Sequence, residues 1–229
     1  MKKLTIAAAL AAATMLSAPA QAGSAEGKLQ VKVMATGVLP DGKIDKVNPV
    51  GVGDISAALG TGADTVANDN WVPTLAVEYF VSKNFSVETI CCFTKHKVTG
   101  TGGNIDGKNI ARDVLILPAT ITLKAHADLG AIKPYVGVGP SLFFYFNEKP
   151  GTVPAGLGAT SLKLDNKLGV ALQAGVDVPV NDAGLGISLD AKKYFMKTTT
   201  HFYAGTTEVL STDHKLDPWV VSGGVSYRF

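Results

Sequence analysis

The chain is poor in charge and in cysteine, and beyond its first residues it has no long apolar run. Acidic and basic side chains occupy 17% of the 229 positions, against about a quarter in soluble domains, which disfavours an ordinary solvated surface. The 21 basic and 19 acidic residues give a formal charge of only +2, which disfavours a nucleic-acid-binding surface. The 2 cysteines, Cys91 and Cys92, are adjacent and on a strand would point to opposite faces, which argues against a disulfide framework or a cysteine zinc site. With 46% apolar residues the chain is not disordered. After residue 22 no apolar stretch reaches the ~18 residues of a spanning helix, so a helical membrane protein is excluded.

What is present begins with a secretory signal. Lys2 and Lys3 precede apolar residues 4–16, and Ala20, Gln21 and Ala22 supply the small-x-small cleavage pattern. Residues 1–22 are therefore expected to be removed, leaving a chain that starts at Gly23. Two lysines leave with them and no acid, so the basic count falls to 19, equal to the 19 acids.

The mature segment, 23–229, alternates with period two. Leu168, Val170, Leu172, Ala174, Val176, Val178 and Val180 share one face, while Gly169, Ala171, Gln173, Gly175 and Asp177 share the other, which is a strand pattern. Similar runs cover 27–38, 71–81, 85–98, 113–126, 133–146, 161–180, 184–198 and 214–229, eight in all. The segments 82–84, 127–132 and 181–183 are short turns; 39–70, 99–112, 147–160 and 199–213 are long and rich in Gly, Asn, Asp, Thr and Pro, as loops are. Within the first of these, 53–59 could form a short helix. An even number of strands with short turns at one end and long loops at the other predicts an all-β, eight-stranded, antiparallel up-and-down transmembrane barrel in a bacterial outer membrane, with both termini periplasmic. A soluble ligand-binding barrel has the same strand count and the opposite facing. The less apolar face decides between them: it is largely Gly, Ala, Ser and Thr, which fit a narrow interior, so the apolar face looks toward lipid. In the final strand Trp219, Val221, Gly223, Val225, Tyr227 and Phe229 share that outer face and end in interfacial aromatics.

Strand direction gives each inward residue a height. Lys32, Glu78, Glu88, Lys124, Asp177, Asp190, Lys192 and Arg228 fall on the inner face, mostly toward the short turns, four bases against four acids. Such balance suits a paired floor, because an unpaired buried ion costs several kcal/mol. Above it the inward positions Val72, Ile90, Val114, Ile116, Phe143, Tyr194, Met196, Leu216 and Val220 are mostly apolar. An oily molecule could enter such an upper lumen and be stopped by the floor. Pro118 lies inside the fourth strand and has no N–H to give to a ladder, so a bulge or gap is expected there, as a possible lateral exit into lipid. His96, His126, His201 and His214 form no recognisable catalytic or metal constellation and lie near strand ends or in loops; no enzyme, cofactor or metal is expected.

Several segments resemble the outer-membrane protein W (OmpW) family, which includes AlkL-type hydrophobic-solute uptake proteins. They are Lys133-Pro134-Tyr135-Val136-Gly137-Val138-Gly139, Ser161-Leu162-Lys163-Leu164-Asp165 with Gln173-Ala174-Gly175-Val176-Asp177, and Leu216-Asp217-Pro218-Trp219 with the ending Ser226-Tyr227-Arg228-Phe229. The resemblance covers essentially the whole mature chain. It implies an eight-stranded barrel for passive entry of small hydrophobic molecules, a constriction near Ile90 and Lys192, and a terminal aromatic, Phe229 with Tyr227, read by the barrel-assembly machinery. The expected partners are small hydrophobic solutes, outer-membrane lipid and lipopolysaccharide; no nucleic acid is expected, and the barrel should be a monomer. The competing expectation is a structural or surface-recognition barrel with a filled lumen and partner-binding loops.

Overall fold

The computed structural model describes residues 26–51 and 53–229; the signal segment 1–22 and the cleavage point before Gly23 lie outside them. β1 (Leu29–Leu39) leads into β2 (Lys43–Asn48), a 3-10 turn at Ser56–Leu59 and β3 (Asp64–Ala67). Then come β4 (Asn70–Phe80), β5 (Phe85–Cys91), β6 (Thr94–Thr101), β7 (Asn109–His126), β8 (Lys133–Phe146) and β9 (Lys149–Pro150). A short helix, α1 (Thr152–Gly156), precedes β10 (Ser161–Leu164), β11 (Leu168–Pro179), β12 (Leu185–Phe195), β13 (Lys197–Ala204), β14 (Thr207–Lys215) and β15 (Trp219–Arg228).

The wall runs β1, β4, β5 with β6, β7, β8, β11, β12, β15 and back to β1, every neighbour antiparallel, so eight strands close on themselves. Closure pairs each wall strand on both sides over most of its length, the condition for a strand structure to cross a bilayer; the ladders lapse beside Cys92 and Phe93, where pairing of β4 with the third wall strand ends at Leu75 and Cys91. The outside is apolar: Trp71 is 66% and Leu168 72% exposed, while Glu78 and Lys124 inside are both 0%. That inversion of the soluble rule identifies lipid as the outer solvent. Exposed Trp71, Phe93, Phe146, Phe195 and Trp219 ring the loop end; Tyr79, Phe85, Tyr227 and Phe229 ring the turn end. The eight steps from Trp71 to Tyr79 rise ~3.3 Å each, which on a strand tilted ~40° gives a height of ~20 Å, close to the apolar band of such barrels.

The long connections are more ordered than expected. β10, β13, β14 and β2 form a second, four-stranded sheet at the loop end, so 199–213 is a hairpin and 39–70 contains two strands. Its reason is burial: Leu162, Phe202 and Leu210 turn inward from these strands into the main apolar cluster, which loose loops would leave wet. Four wall strands predicted as continuous are broken: 85–98 lapses at Cys92 and Phe93 between β5 and β6, and three part where they change sheet. β10 parts from β11 at Asp165, Asn166 and Lys167. β12 parts from β13 at Met196, whose N–H donates to Asp217 Oδ1 at 2.8 Å. β14 parts from β15 at the corner where Asp217 takes a positive φ of 31° before Pro218. The segment 56–59 is a 3-10 turn, within the stretch where a short helix was expected.

Candidate functional site

Inside the loop-end half lies an apolar cavity of about 130 Å³. It runs from Leu59, Ile105 and Leu210 beneath the second sheet down to Ile90, Phe143 and Tyr194. Of the residues predicted to form an apolar upper lumen, Ile90, Val114, Ile116, Phe143, Tyr194, Leu216 and Val220 line it. Met196 is instead buried in the surrounding apolar cluster, and Val72 is half-buried at the rim of the wall. Tyr194 closes the lower end, with its ring edge against Phe143 at 5.4 Å and its hydroxyl 3.3 Å from Thr120 Oγ1.

Two histidines at the loop end, His96 and His214, line the cavity, where burial on or near the lumen wall was not anticipated. His96 hydrogen-bonds to Thr94 Oγ1 at 2.9 Å and to the Asn68 carbonyl at 2.7 Å, and burial lowers its pKa. His214 meets Thr212 Oγ1 at 2.8 Å, and burial pushes its pKa down to about 4. Its other ring nitrogen, Nδ1, lies 3.4 Å from Thr65 Oγ1, and the ring lines the apolar cavity, so desolvation disfavours its cation. For both histidines the shift disfavours an imidazolium beside the apolar cavity. The signal for them was parity: His96 follows Thr94 on the inward face of one run, and His214 follows Thr212.

Below Tyr194 the lumen becomes ionic. Lys32 Nζ lies 2.9 Å from Glu78 Oε2, 3.1 Å from Asp177 Oδ1 and 3.4 Å from Glu88 Oε2. Lys124 Nζ bridges the same two glutamates at 2.8 and 2.9 Å. Lys192 Nζ reaches Asp190 at 2.6 Å and Glu88 Oε1 at 3.2 Å. Each is almost fully covered, and the remaining lone pairs are taken up: Gln173 Nε2 donates to Glu88 and Asp190, the Tyr135 hydroxyl to Asp190, and Ser188 to Asp177. A buried ion pair is tolerable only when its remaining hydrogen-bonding groups are met in this way. Arg228 does not belong to this network. It lies at the turn-end mouth, its guanidinium 3.6 Å over the Phe80 ring and its Nε donating to the Gly27 carbonyl. The expected four-against-four balance is therefore three lysines against four carboxylates, with His126 Nε2 at 3.0 Å from Glu78 as a further partner.

Small residues make the room. A methyl group on Gly175 would overlap the Tyr135 hydroxyl, and one on Gly137 would press on Lys124 and Gln173. The glycines of 133–139 and 173–177 thus make space for Tyr135, Lys124 and Gln173 in a barrel too narrow for side chains from every strand. Ile90 ends up at the base of the cavity while the Lys192 ammonium turns into the floor, so the two stand on either side of the change from apolar to ionic. A second, polar cavity of about 40 Å³ opens at the turn end between His126, Asp177 and Arg228. It shares no lining residue with the first.

Pro118 sits in the wall of the upper cavity. On one side β7 pairs with β8 through Pro118 and Phe143. On the other, pairing with the third wall strand stops after Ile90 and Thr120 and resumes at Thr94 and Ile116.

A closed eight-stranded barrel, apolar and aromatic-ringed outside and charged within, is an outer-membrane β-barrel. A profile of the OmpW family matches residues 25–229, and the chain belongs to that family. It is 33% identical over 228 residues to an uncharacterized outer-membrane protein, y4mB, of Sinorhizobium fredii, covering 96% of this chain and 90% of the relative. It is 30% identical to outer membrane protein W of Salmonella typhimurium over the full length of both. In fold it is similar to OprG of Pseudomonas aeruginosa, with a TM-score of 0.77, 23% identity and coverage of 90% of this chain and 98% of that one. It is also similar to AlkL, with a TM-score of 0.68, 24% identity and coverage of 93% and 95%.

Proposed function

We propose that this barrel passes small hydrophobic molecules across the outer membrane without energy input, taking them from outside into the apolar cavity and releasing them sideways into lipid. The observation that carries the reading is the abrupt end of an apolar cavity of about 130 Å³ on a hydrogen-bonded ionic floor. An apolar cavity of ~150 Å³ is enough to bind benzene, so a small ring or a short alkyl chain matches the space. Descent through the floor would require an oily solute to replace buried ion pairs, each costing several kcal/mol to disrupt. The unpaired stretch of wall at Pro118 opens from the same cavity toward lipid and avoids that cost.

In this reading the loop end faces outward, both termini are periplasmic, the closed wall works as a monomer, and Tyr227 and Phe229 present the carboxyl-terminal aromatics to the assembly machinery. The solute is moved and not altered. Its advantage is passage through the polar lipopolysaccharide layer, which opposes oily compounds more than the hydrocarbon below. A filled barrel acting only through its loops would have no such cavity. Uptake into liposomes containing the protein, measured for hydrophobic solutes of graded length, tests the proposal: uptake should exceed that of empty liposomes for short solutes and decline with size. Equal rates with and without protein would overturn it.

A further inference from the structure

On the outer face, just beyond the loop-end aromatic ring, the charges are arranged unequally. β6 alternates, so Thr94 and His96 point inward and Lys95 and Lys97 outward. Opposite them β7 carries a bulge: His96 pairs with Val114 and Val98 with Ala111, leaving Lys97 to face both Arg112 and Asp113. Asp113 accommodates the extra residue with φ of 58°, a left-handed conformation uncommon outside glycine. The bulge keeps Arg112 exposed, where regular alternation after buried Val114 would have turned it inward. β9 then places exposed Lys149 opposite Arg112.

Four bases thus share one patch with a single acid. Lys95 is paired to Asp113 at 2.6 Å, whereas Lys97, Arg112 and Lys149 take part in no ion pair among the described residues. Nearby Glu148 accepts from the Leu164 N–H, and exposed Asp69 makes no ion pair with the patch. At other points of the loop end bases are paired with acids: Lys193 with Asp41, and Lys197 and Lys215 with Asp45. The unneutralised patch lies directly above exposed Phe93 and Phe146. Lys95 and Lys97 are two and four residues beyond Phe93, or ~7 and ~13 Å along the strand, which is headgroup depth.

We propose that Lys95, Lys97, Arg112 and Lys149 form a binding site for the phosphate groups of an outer-leaflet glycolipid of the diphosphorylated lipid A type, whose acyl chains lie along Phe93 and Phe146. This rests on the reading that the loop end faces outward. Such a lipid supplies fixed anionic phosphates at the required depth, and the Arg112 guanidinium can hold one through two parallel hydrogen bonds. A zwitterionic phospholipid brings its own cation to the same phosphate, and free phosphate has no chains to lay on the aromatics.

The test is lipid retention by the full folded chain in symmetric nanodiscs, read by native mass spectrometry with diphosphorylated lipid A as the probe. The variant Lys97→Gln/Arg112→Gln/Lys149→Gln should lose at least about tenfold in retention, equivalent to ~1.4 kcal/mol, and Lys197→Gln/Lys215→Gln should keep it. Dephosphorylated lipid A should be retained no better than phosphatidylcholine. Equal loss in both variants, no loss in the first, or displacement by an equal concentration of inorganic phosphate would overturn the site. If the triple variant does not fold, Lys149→Gln alone carries the comparison, with a smaller loss expected and no loss counting against the site. Symmetric discs make the binding independent of orientation, which an epitope inserted at Gly205 and probed on whole cells tests separately.

Discussion

Pro118 of β7 stands opposite Cys92, and the backbone ladder between their strands is open at that pair. Ile90 pairs with Thr120 and Thr94 with Ile116 in the same register, so no residue has been inserted between them; the pairing lapses and then resumes. The cause is chemical. Proline offers no N–H, and the third wall strand loses its strand conformation at Cys92 and Phe93, with Pro118 opposite Cys92 on one side and, on the other, Pro73 of β4 two residues before the last pair, Leu75 with Cys91. A strand break without a register shift leaves the wall without ladder bonds at this point, the stretch proposed above as the lateral slot.

Replacing Pro118 with Val restores one donor to an antiparallel position. The variant should gain about 1 kcal/mol of stability from the added ladder bond, and uptake of a hydrophobic solute into liposomes should fall. Undiminished uptake in a folded Pro118→Val barrel would remove the slot from the pathway.

The ionic floor should behave as one unit. Glu78 Oε2 contacts both Lys32 and Lys124, so Glu78→Leu leaves two buried ammonium groups short of a partner and should cost about 3–5 kcal/mol. Glu78→Leu combined with Lys124→Met should cost less than the sum of the single changes, because the second removes a charge that the first exposed. Urea unfolding in lipid vesicles measures all three; strict additivity would show that the residues are independent.

The wall was legible because a barrel strand has period two and a wrong register would reverse the solvent of every side chain. That parity placed Lys32, Glu78 and Lys124 inside without any knowledge of their partners. Three things were less visible. The second sheet is built from segments such as 207–215, whose Thr, Ser and Asp content resembles a loop although Val209 and Leu210 are buried. Arg228 has inward parity but sits so near the turn end that it reaches the mouth and not the lysines. The interruptions at Met196 and Asp217 depend on a contact between residues 21 apart, which periodicity within either strand cannot register.

His214 predicts a pH dependence confined to the loop end. Its pKa falls from 6.5 in the unfolded chain to about 4 in the fold, so the unfolded state binds more protons between those values. Stability is therefore complete above about pH 6.5 and declines as pH drops toward 4, by on the order of 3 kcal/mol at most. Protection factors of amides in β13 and β14, taken relative to intrinsic exchange at each pH, should fall over that range while those of the membrane-embedded strands hold. His214→Gln retains hydrogen-bonding capacity and cannot titrate, so it should flatten the profile; an unchanged profile would assign the effect to another group.

The adjacent cysteines report on the two sides of the slot. Cys91 is exposed on the outer wall and Cys92 is buried, lining the upper cavity, because successive strand residues face opposite ways. In Cys91→Ser, a small apolar maleimide should label Cys92 slowly, and a hydrophobic solute occupying the cavity should slow it further. In Cys92→Ser the remaining Cys91 reacts from the lipid side and should be indifferent to cavity occupancy. Adding Pro118→Val to each background separates entry routes: if the label reaches Cys92 through the slot, closing the ladder should slow that reaction and leave Cys91 labelling unchanged. Labelling of Cys92 that is insensitive both to solute and to Pro118→Val would mean that neither the cavity nor the slot is the place where small apolar molecules reside.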